Sequence, residues 1–225
     1  LYEMLEELTT DYDHILWEGC SGGGGRFDAG FLHYMPQSWT SDNTDAVERL
    51  DIQYGTSLVY PISSMGAHVS AVPNHQTYRE TGLEIRGDVA MSGVFGYELN
   101  LQDMTQEEKA VVLEQVAFYK THRKLLQYGK FHRLLSPFES DQTAWLFVNG
   151  DQSQAIGFYF RKYAESAGPI RTLKFTGLAP EKTYQVNGDA IYGGDELMSV
   201  GLHIYPFLVG DYQSRKFVIN EVKSN

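Results

Sequence analysis

Apolar positions along the first 130 residues switch repeatedly between helical spacing and short strand-like runs. Leu1, Met4, Leu5 and Leu8 fall on one side of a helix, so residues 1–10 read as the last turns of an amphipathic helix. Residues 14–18 read as a short buried strand that stops at Gly19, and residues 31–34 as a second, strand-like apolar segment before Pro36. Residues 39–44 are polar and turn-like. Ser41 and Thr44 are candidate N-caps for a helix with Ala46, Val47, Leu50 and Tyr54 on one face, ended by Gly55. Residues 57–61, 67–70 and 89–96 are strand candidates, with a polar loop over 73–77. A helix is predicted over 105–128. Thr105 and Glu108 form a capping box, Leu113, Val116, Ala117 and Leu125 supply the apolar face, and Gly129 stops it.

Beyond Lys130 the texture changes. Residues 144–148, 154–160 and 171–175 are strand-like and punctuated by Gly, Asn, Asp and Pro, and residues 183–219 continue the pattern. The expected division is therefore 1–130 and 131–225. The first part alternates short strands with helices, as a parallel sheet with crossovers does. The second is all-β, most simply an antiparallel sandwich. About four strand-like units precede the boundary, too few to close an eight-stranded barrel without further strands.

Composition narrows the partners more than the fold. Against 29 acidic residues stand 18 basic ones, a formal charge of −11, which argues against nucleic acid or an anionic membrane surface as partner. No apolar run is long enough to cross a bilayer. A single cysteine, Cys20, cannot form an internal disulfide, which fits a reducing compartment. The opening residues carry no signal-peptide pattern, and cytoplasmic location is the expectation. A chain opening in mid-helix reads as a piece of a longer one. Aromatic content, 13% with 15 Tyr, suits β-sheet packing and carbohydrate contact alike.

The densest chemistry lies over residues 17–45. Four consecutive glycines, 22–25, follow Cys20 and mark a place where the backbone approaches something closely. Trp39, Ser41, Asp42 and Asp45 come next, and an indole beside an acidic cluster reads as one wall of a sugar site. Gly19-Cys20-Ser21-Gly22-Gly23 matches the nucleophile-elbow pattern, but glycine-rich loop continues where a helix should begin. The glycines lack the Lys-Ser/Thr ending of a phosphate loop. Asp42, Asp45, His68 and His75 stand at no recognised metal-ligand spacing. Asp45 belongs to the first turn of the following helix, where the dipole favours an acid. Asp42 sits at a strand-to-helix junction, the place where barrel enzymes carry catalytic groups.

The blocks Cys20-Ser21-Gly22-Gly23-Gly24-Gly25-Arg26-Phe27-Asp28 and Pro36-Gln37-Ser38-Trp39-Thr40-Ser41-Asp42-Asn43-Thr44-Asp45 closely resemble glycoside hydrolase family 36. Met65-Gly66-Ala67-His68-Val69-Ser70 and Val72-Pro73-Asn74-His75-Gln76 look like the same family's next blocks. The resemblance is dense to Gly96 and continues through the β-rich tail. It implies the second half of a (β/α)8 TIM barrel followed by a C-terminal antiparallel β-sandwich. It also implies a retaining α-galactosidase of the melibiose and raffinose type, without metal or organic cofactor.

Under that resemblance Asp42 matches the general acid/base, and Trp39 forms part of the wall around the sugar. Cys20 and the backbone of Ser21, Gly22 and Gly23 line the pocket near the 2-hydroxyl. A bulky N-acetyl group should fit poorly beside Cys20. The family's nucleophile is an Asp within a Lys-Trp-Asp-Met-Asn block on the preceding strand, upstream of this chain, and no such block occurs in these residues. Asp28, Asp88 and Glu18 could replace it only with different geometry. The segment alone is therefore expected to be inert, and relatives assemble as homo-oligomers, often tetramers. Competing readings are an α-N-acetylgalactosaminidase, a galactosyl transferase of the same family, or a non-catalytic carbohydrate-binding or assembly module.

Overall fold

The computed structural model describes residues 1–204 and 209–222; residues 205–208 and 223–225, which fall within the expected all-β tail, lie outside the described residues. Helix α1 (Tyr2–Asp11) leads to strand β1 (Glu18–Gly19), α2 (Ala29–Tyr34), β2 (Gln37–Trp39), α3 (Ala46–Ser57), β3 (Met65–Ser70), α4 (Leu83–Ala90), β4 (Val94–Glu98) and α5 (Gln106–Tyr128). Strands β1 to β4 pair in sequence order, all parallel. This is the second half of a (β/α)8 barrel. Met65, Ala67 and Val69 of β3 are fully buried under the helices. The registers Glu18–Gln37, Trp39–Gly66, His68–Gly96 and Ser70–Glu98 line up the opposite, partly open face.

The remainder comprises β5 (Lys130–Leu135), β6 (Gln142–Val148), β7 (Gln154–Arg161), β8 (Thr172–Leu173), β9 (Thr183–Val186), β10 (Ile191–Gly193), α6 (Gly194–Ser199), β11 (Leu202–His203) and β12 (Gln213–Glu221). Six strands form an antiparallel sheet in the order β10-β9-β12-β7-β6-β5, and β11 pairs with β8 in a second sheet. All seven residues of β6 are buried, because both faces are covered. Trp145, Phe147, Phe158 and Phe160 pack on Leu50, Ile85, Val89 and Leu126 of the barrel helices. Ala144, Leu146, Tyr159 and Phe217 pack on Leu173, Phe175, Leu178 and Leu197. A strand covered on two sides reads as a continuous apolar run, as 144–148 does.

Several expected elements take another form. Residues 14–17 are not a strand: Ile15 and Leu16 are exposed, and only Glu18 and Gly19 pair, at the edge of the sheet. The apolar segment 31–34 is the short helix α2, because the Asp28 carboxylate accepts the Phe31 amide (2.8 Å) and caps it. Trp39 ends a strand rather than opening a turn. Helix α3 runs through Gly55 to Ser57, so residues 57–61 form its end and a turn, with Leu58 and Val59 exposed. Residues 89 and 90 close α4, and the strand begins only at Val94. The tail is interrupted by α6.

The capping box at Thr105 and Glu108 and the stop at Gly129 are present on α5, but the buried face differs. Leu113 and Ala117 are exposed, whereas Gln115 and Tyr119 are buried. Both polar tips are satisfied: Gln115 Nε2 donates to the Leu83 carbonyl (2.9 Å) and Tyr119 Oη to the Gly93 carbonyl (3.0 Å). A polar residue with its bonds made can occupy the core.

Candidate active site

Two loops at the C-terminal ends of β1 and β2 meet, the position where parallel barrels carry their chemistry. The glycine loop adopts left-handed backbone at Gly22, Gly23 and Gly24 (φ 56°, 70° and 94°). A β-carbon on Gly23 would overlap the Asp42 amide nitrogen, and one on Gly24 would lie 2.7 Å from the Thr40 carbonyl oxygen. Gly22 faces open space. The glycine run therefore does two things. Gly23 and Gly24 let the loop lie directly against the backbone of 39–42, and Gly22 leaves room beside it. Cys20 is exposed at the head of the loop, with Ser21 half-buried after it.

Asp42 projects from the adjoining segment and is exposed. Its carboxylate makes no hydrogen bond among the described residues, so the backbone around it determines where it points. That backbone is heavily tied. The Asn43 amide donates to Ser41 Oγ (3.1 Å) and the Asp45 amide to Asn43 Oδ1 (3.1 Å). Neither Ser41 nor Thr44 caps α3. The cap is Asp45, whose Oδ1 accepts the Val47 amide at 2.8 Å. The second oxygen of this buried carboxylate accepts from the Thr77 hydroxyl and the Arg79 guanidinium. Thr44 is held from β3 and the loop after it: its carbonyl accepts from Ser70 Oγ and its hydroxyl from Asn74 Nδ2, both at 3.0 Å.

Beneath the loop lies Arg49, 2% exposed, donating to the Ser41 carbonyl (3.2 Å), the Gly66 carbonyl (2.6 Å) and Gln53 Oε1 (3.3 Å). Burial lowers its pKa to about 10, so the guanidinium stays charged at neutral pH. Its carbon Cζ sits 4.7 Å from the Trp39 ring centre, and His68 stacks on the same indole at 4.6 Å. Trp39 is itself 9% exposed, which leaves little of the ring open. His68 Nδ1 lies 3.5 Å from the Glu98 carboxylate.

Of the other carboxylates, Asp28 is the α2 cap and Asp88 is buried against Lys216 and Ser214 of the β-domain. Glu18 accepts from Gln37 Nε2 (2.8 Å) at the sheet edge. Asp45 and His68, weighed above as metal ligands, are engaged with Arg79 and Trp39, and His75 is exposed on the loop after β3. The predicted site residues thus come together: Cys20, Ser21, Gly22 and Gly23 on one loop, Asp42 on the loop it contacts, and Trp39 at the end of β2 that leads into the second loop. Arg49 and Arg79 were missed. Arg49 carried a readable signal, since Ala46, Arg49 and Gln53 share one helical face.

The chain matches the Melibiase family model over residues 1–129 and the glycosyl hydrolase family 36 C-terminal domain over residues 142–219. Alpha-galactosidase AgaA of Geobacillus stearothermophilus is 55% identical over 223 residues, 99% of this chain and 30% of that protein. Alpha-galactosidase 1 of Pediococcus pentosaceus is 52% identical, over 100% of this chain and 31% of that protein. The crystal structure of AgaA superposes with a TM-score of 0.96 at 55% identity, over 98% of this chain and 31% of the other. A substituted form of AgaA in complex with raffinose gives the same TM-score at 54% identity, with the same coverage. The alpha-galactosidase of Lactobacillus brevis gives 0.97 at 45% identity, over 100% and 31%. The chain thus spans about 30% of the length of the relatives it matches. From the half-barrel, the antiparallel sheets and both family models together, the chain belongs to glycoside hydrolase family 36, the melibiase family.

Proposed function

We propose that this chain is the acid/base-bearing part of a retaining exo-α-galactosidase that removes terminal α-galactosyl residues from sugars of the melibiose and raffinose type. The observation that carries the reading is Asp42, an exposed carboxyl beyond the end of a parallel strand, on a backbone fixed by the glycine loop, Arg49 and the Asp45 cap. Asp42 protonates the leaving oxygen, then deprotonates the water that releases galactose. Retention needs a second carboxyl about 5–5.5 Å away as nucleophile, and two carboxyls suffice for the chemistry. That nucleophile lies outside these 225 residues, and the segment by itself is inactive. Cys20 and the backbone of Ser21, Gly22 and Gly23 face the sugar near its 2-hydroxyl, beside the edge of Trp39. The division at residue 130, a homo-oligomeric assembly of the whole polypeptide and a cytoplasmic location belong to the same reading. Among the described residues no helix is long and apolar enough to cross a membrane.

Two measurements test it. In the polypeptide that also carries the nucleophile, Asp42→Asn should lower turnover on p-nitrophenyl α-galactoside by about 10²–10⁴-fold with unchanged circular dichroism. The 225-residue chain alone should release no nitrophenol. Full activity of the variant, or hydrolysis by the isolated chain, overturns the reading.

A further inference from the structure

Helix α3 follows directly on the Asp42 loop, and side chains of the β-domain act on it along its whole length. At its C-terminal end Arg133 of β5 donates to Ser57, through Nε to Oγ at 2.9 Å and through Nη2 to the carbonyl. In its middle Lys162, just after β7, binds the Asp51 carboxylate at 2.9 and 3.1 Å. At its N-terminal end the contact is relayed. Tyr212, whose amide donates to the Lys162 carbonyl (2.9 Å), places its ring 5.4 Å from the Arg79 guanidinium carbon. Arg79 in turn holds Asp45 and lies 3.5 Å from Glu48.

Unusual backbone occurs at one of the relay's residues and beside the other. Tyr212 has φ 55°, and Tyr78, immediately before Arg79, has φ 56°. A bulky side chain enters that region only when its surroundings hold it there. From Asp45 the path to the acid/base is short: its carboxylate caps α3, its amide is held by Asn43, and the Asn43 amide is held by Ser41. Asp42 lies within this turn, and among the described residues its carboxylate has no hydrogen bond to fix its direction.

We infer that Arg79 and Tyr212 are positioning residues for Asp42. The β-domain, through Tyr212, fixes Arg79; Arg79 fixes the Asp45 cap; and the cap fixes the turn from which Asp42 reaches the glycosidic oxygen. The inference rests on the acid/base reading above and assigns the β-domain a part in catalysis beyond packing.

The test uses leaving groups that differ in their need for a proton. In the nucleophile-bearing polypeptide, kcat/KM is measured for methyl α-galactoside, whose leaving oxygen must be protonated, and for α-galactosyl fluoride, which leaves without that help. Arg79→Lys and Tyr212→Ala are expected to lower the first by about ten- to a hundredfold, with the second within about twofold. Tyr212→Phe, which keeps the ring over the guanidinium and loses only the hydroxyl beside it, should recover most of the loss on the first and leave the second unchanged. Parallel loss on both substrates, or no loss on either, overturns the inference. Tyr212 lies on the half-buried rim, so its Ala and Phe variants decide the matter if Arg79→Lys fails to fold. Asp42→Ala is the reference. If it shows the leaving-group split and the others do not, the positioning role alone falls. If it shows none, the acid/base assignment falls and takes the inference with it.

Discussion

At the scale of single residues, the glycine run separates into positions with different duties. Any side chain at Gly22, Gly23 or Gly24 must enter left-handed backbone, at roughly 1–2 kcal/mol each. Gly23 and Gly24 add a collision with the 39–42 backbone, whereas Gly22 does not. Gly24→Ala should therefore lower unfolding free energy more than Gly22→Ala, by about 1–3 kcal/mol in urea titrations. Equal losses would show that the loop yields freely. The close approach of the glycines and the placement of Asp42 after a strand were legible because each is a residue type with a restricted use: a glycine tolerates close backbone approach, and an acid at a strand-to-helix junction stands where barrels expose polar groups. What the glycines approach was not legible, because the contact joins segments through backbone atoms that carry no sequence signal. Asp45 was legible as an acid near a helix start, but its pairing with Arg79 depends on a loop that only the fold brings back.

Among the elements, helices with explicit ends were the readable ones. The capping box of α5 appears as Thr105 and Glu108 bonded reciprocally, at 3.1 and 2.9 Å. Thr105→Ala should cost about 0.5–2 kcal/mol, read as a lower thermal midpoint without loss of secondary structure. A midpoint equal to that of the unsubstituted protein would mean that tertiary packing alone holds this turn. The face of α5 was misread because Gln115 and Tyr119 hide their polarity in hydrogen bonds, while Leu113 lies 71% exposed. Strands β1 and β2 span two and three residues, too short for alternation to register. Strands β6 and β7 were clear because burial on both faces leaves an unbroken apolar run.

Across the whole molecule, one continuous core joins the half-barrel to the β-domain, and an ion pair with a buried carboxylate sits at the same junction. Asp88 is 2% exposed and its Oδ1 accepts from Lys216 Nζ at 2.5 Å, while Oδ2 accepts from Ser214 Oγ at 2.7 Å. Burial pushes its carboxyl above the usual range, with Lys216 opposing. A group whose pKa is raised by folding binds its proton more firmly in the native state. Its contribution is full below the unfolded pKa and declines as pH rises through the folded one. Asp88→Asn should flatten that part of the stability–pH curve, and an unchanged slope would reject the assignment. Lys216→Met removes the cation that opposes the upward shift of Asp88, so the buried carboxyl takes up a proton more readily, and the substitution should cost about 1–3 kcal/mol at neutral pH by thermal or urea unfolding. The most direct measurement on the catalytic assignment is the anomeric configuration of the azide product formed by Asp42→Ala in the nucleophile-bearing polypeptide. Removal of an acid/base leaves the galactosyl-enzyme to be attacked from the vacated side, so the expected product is α-galactosyl azide, with retained configuration. β-Galactosyl azide would make Asp42 the nucleophile instead, and undiminished hydrolysis without azide would remove Asp42 from the chemistry altogether.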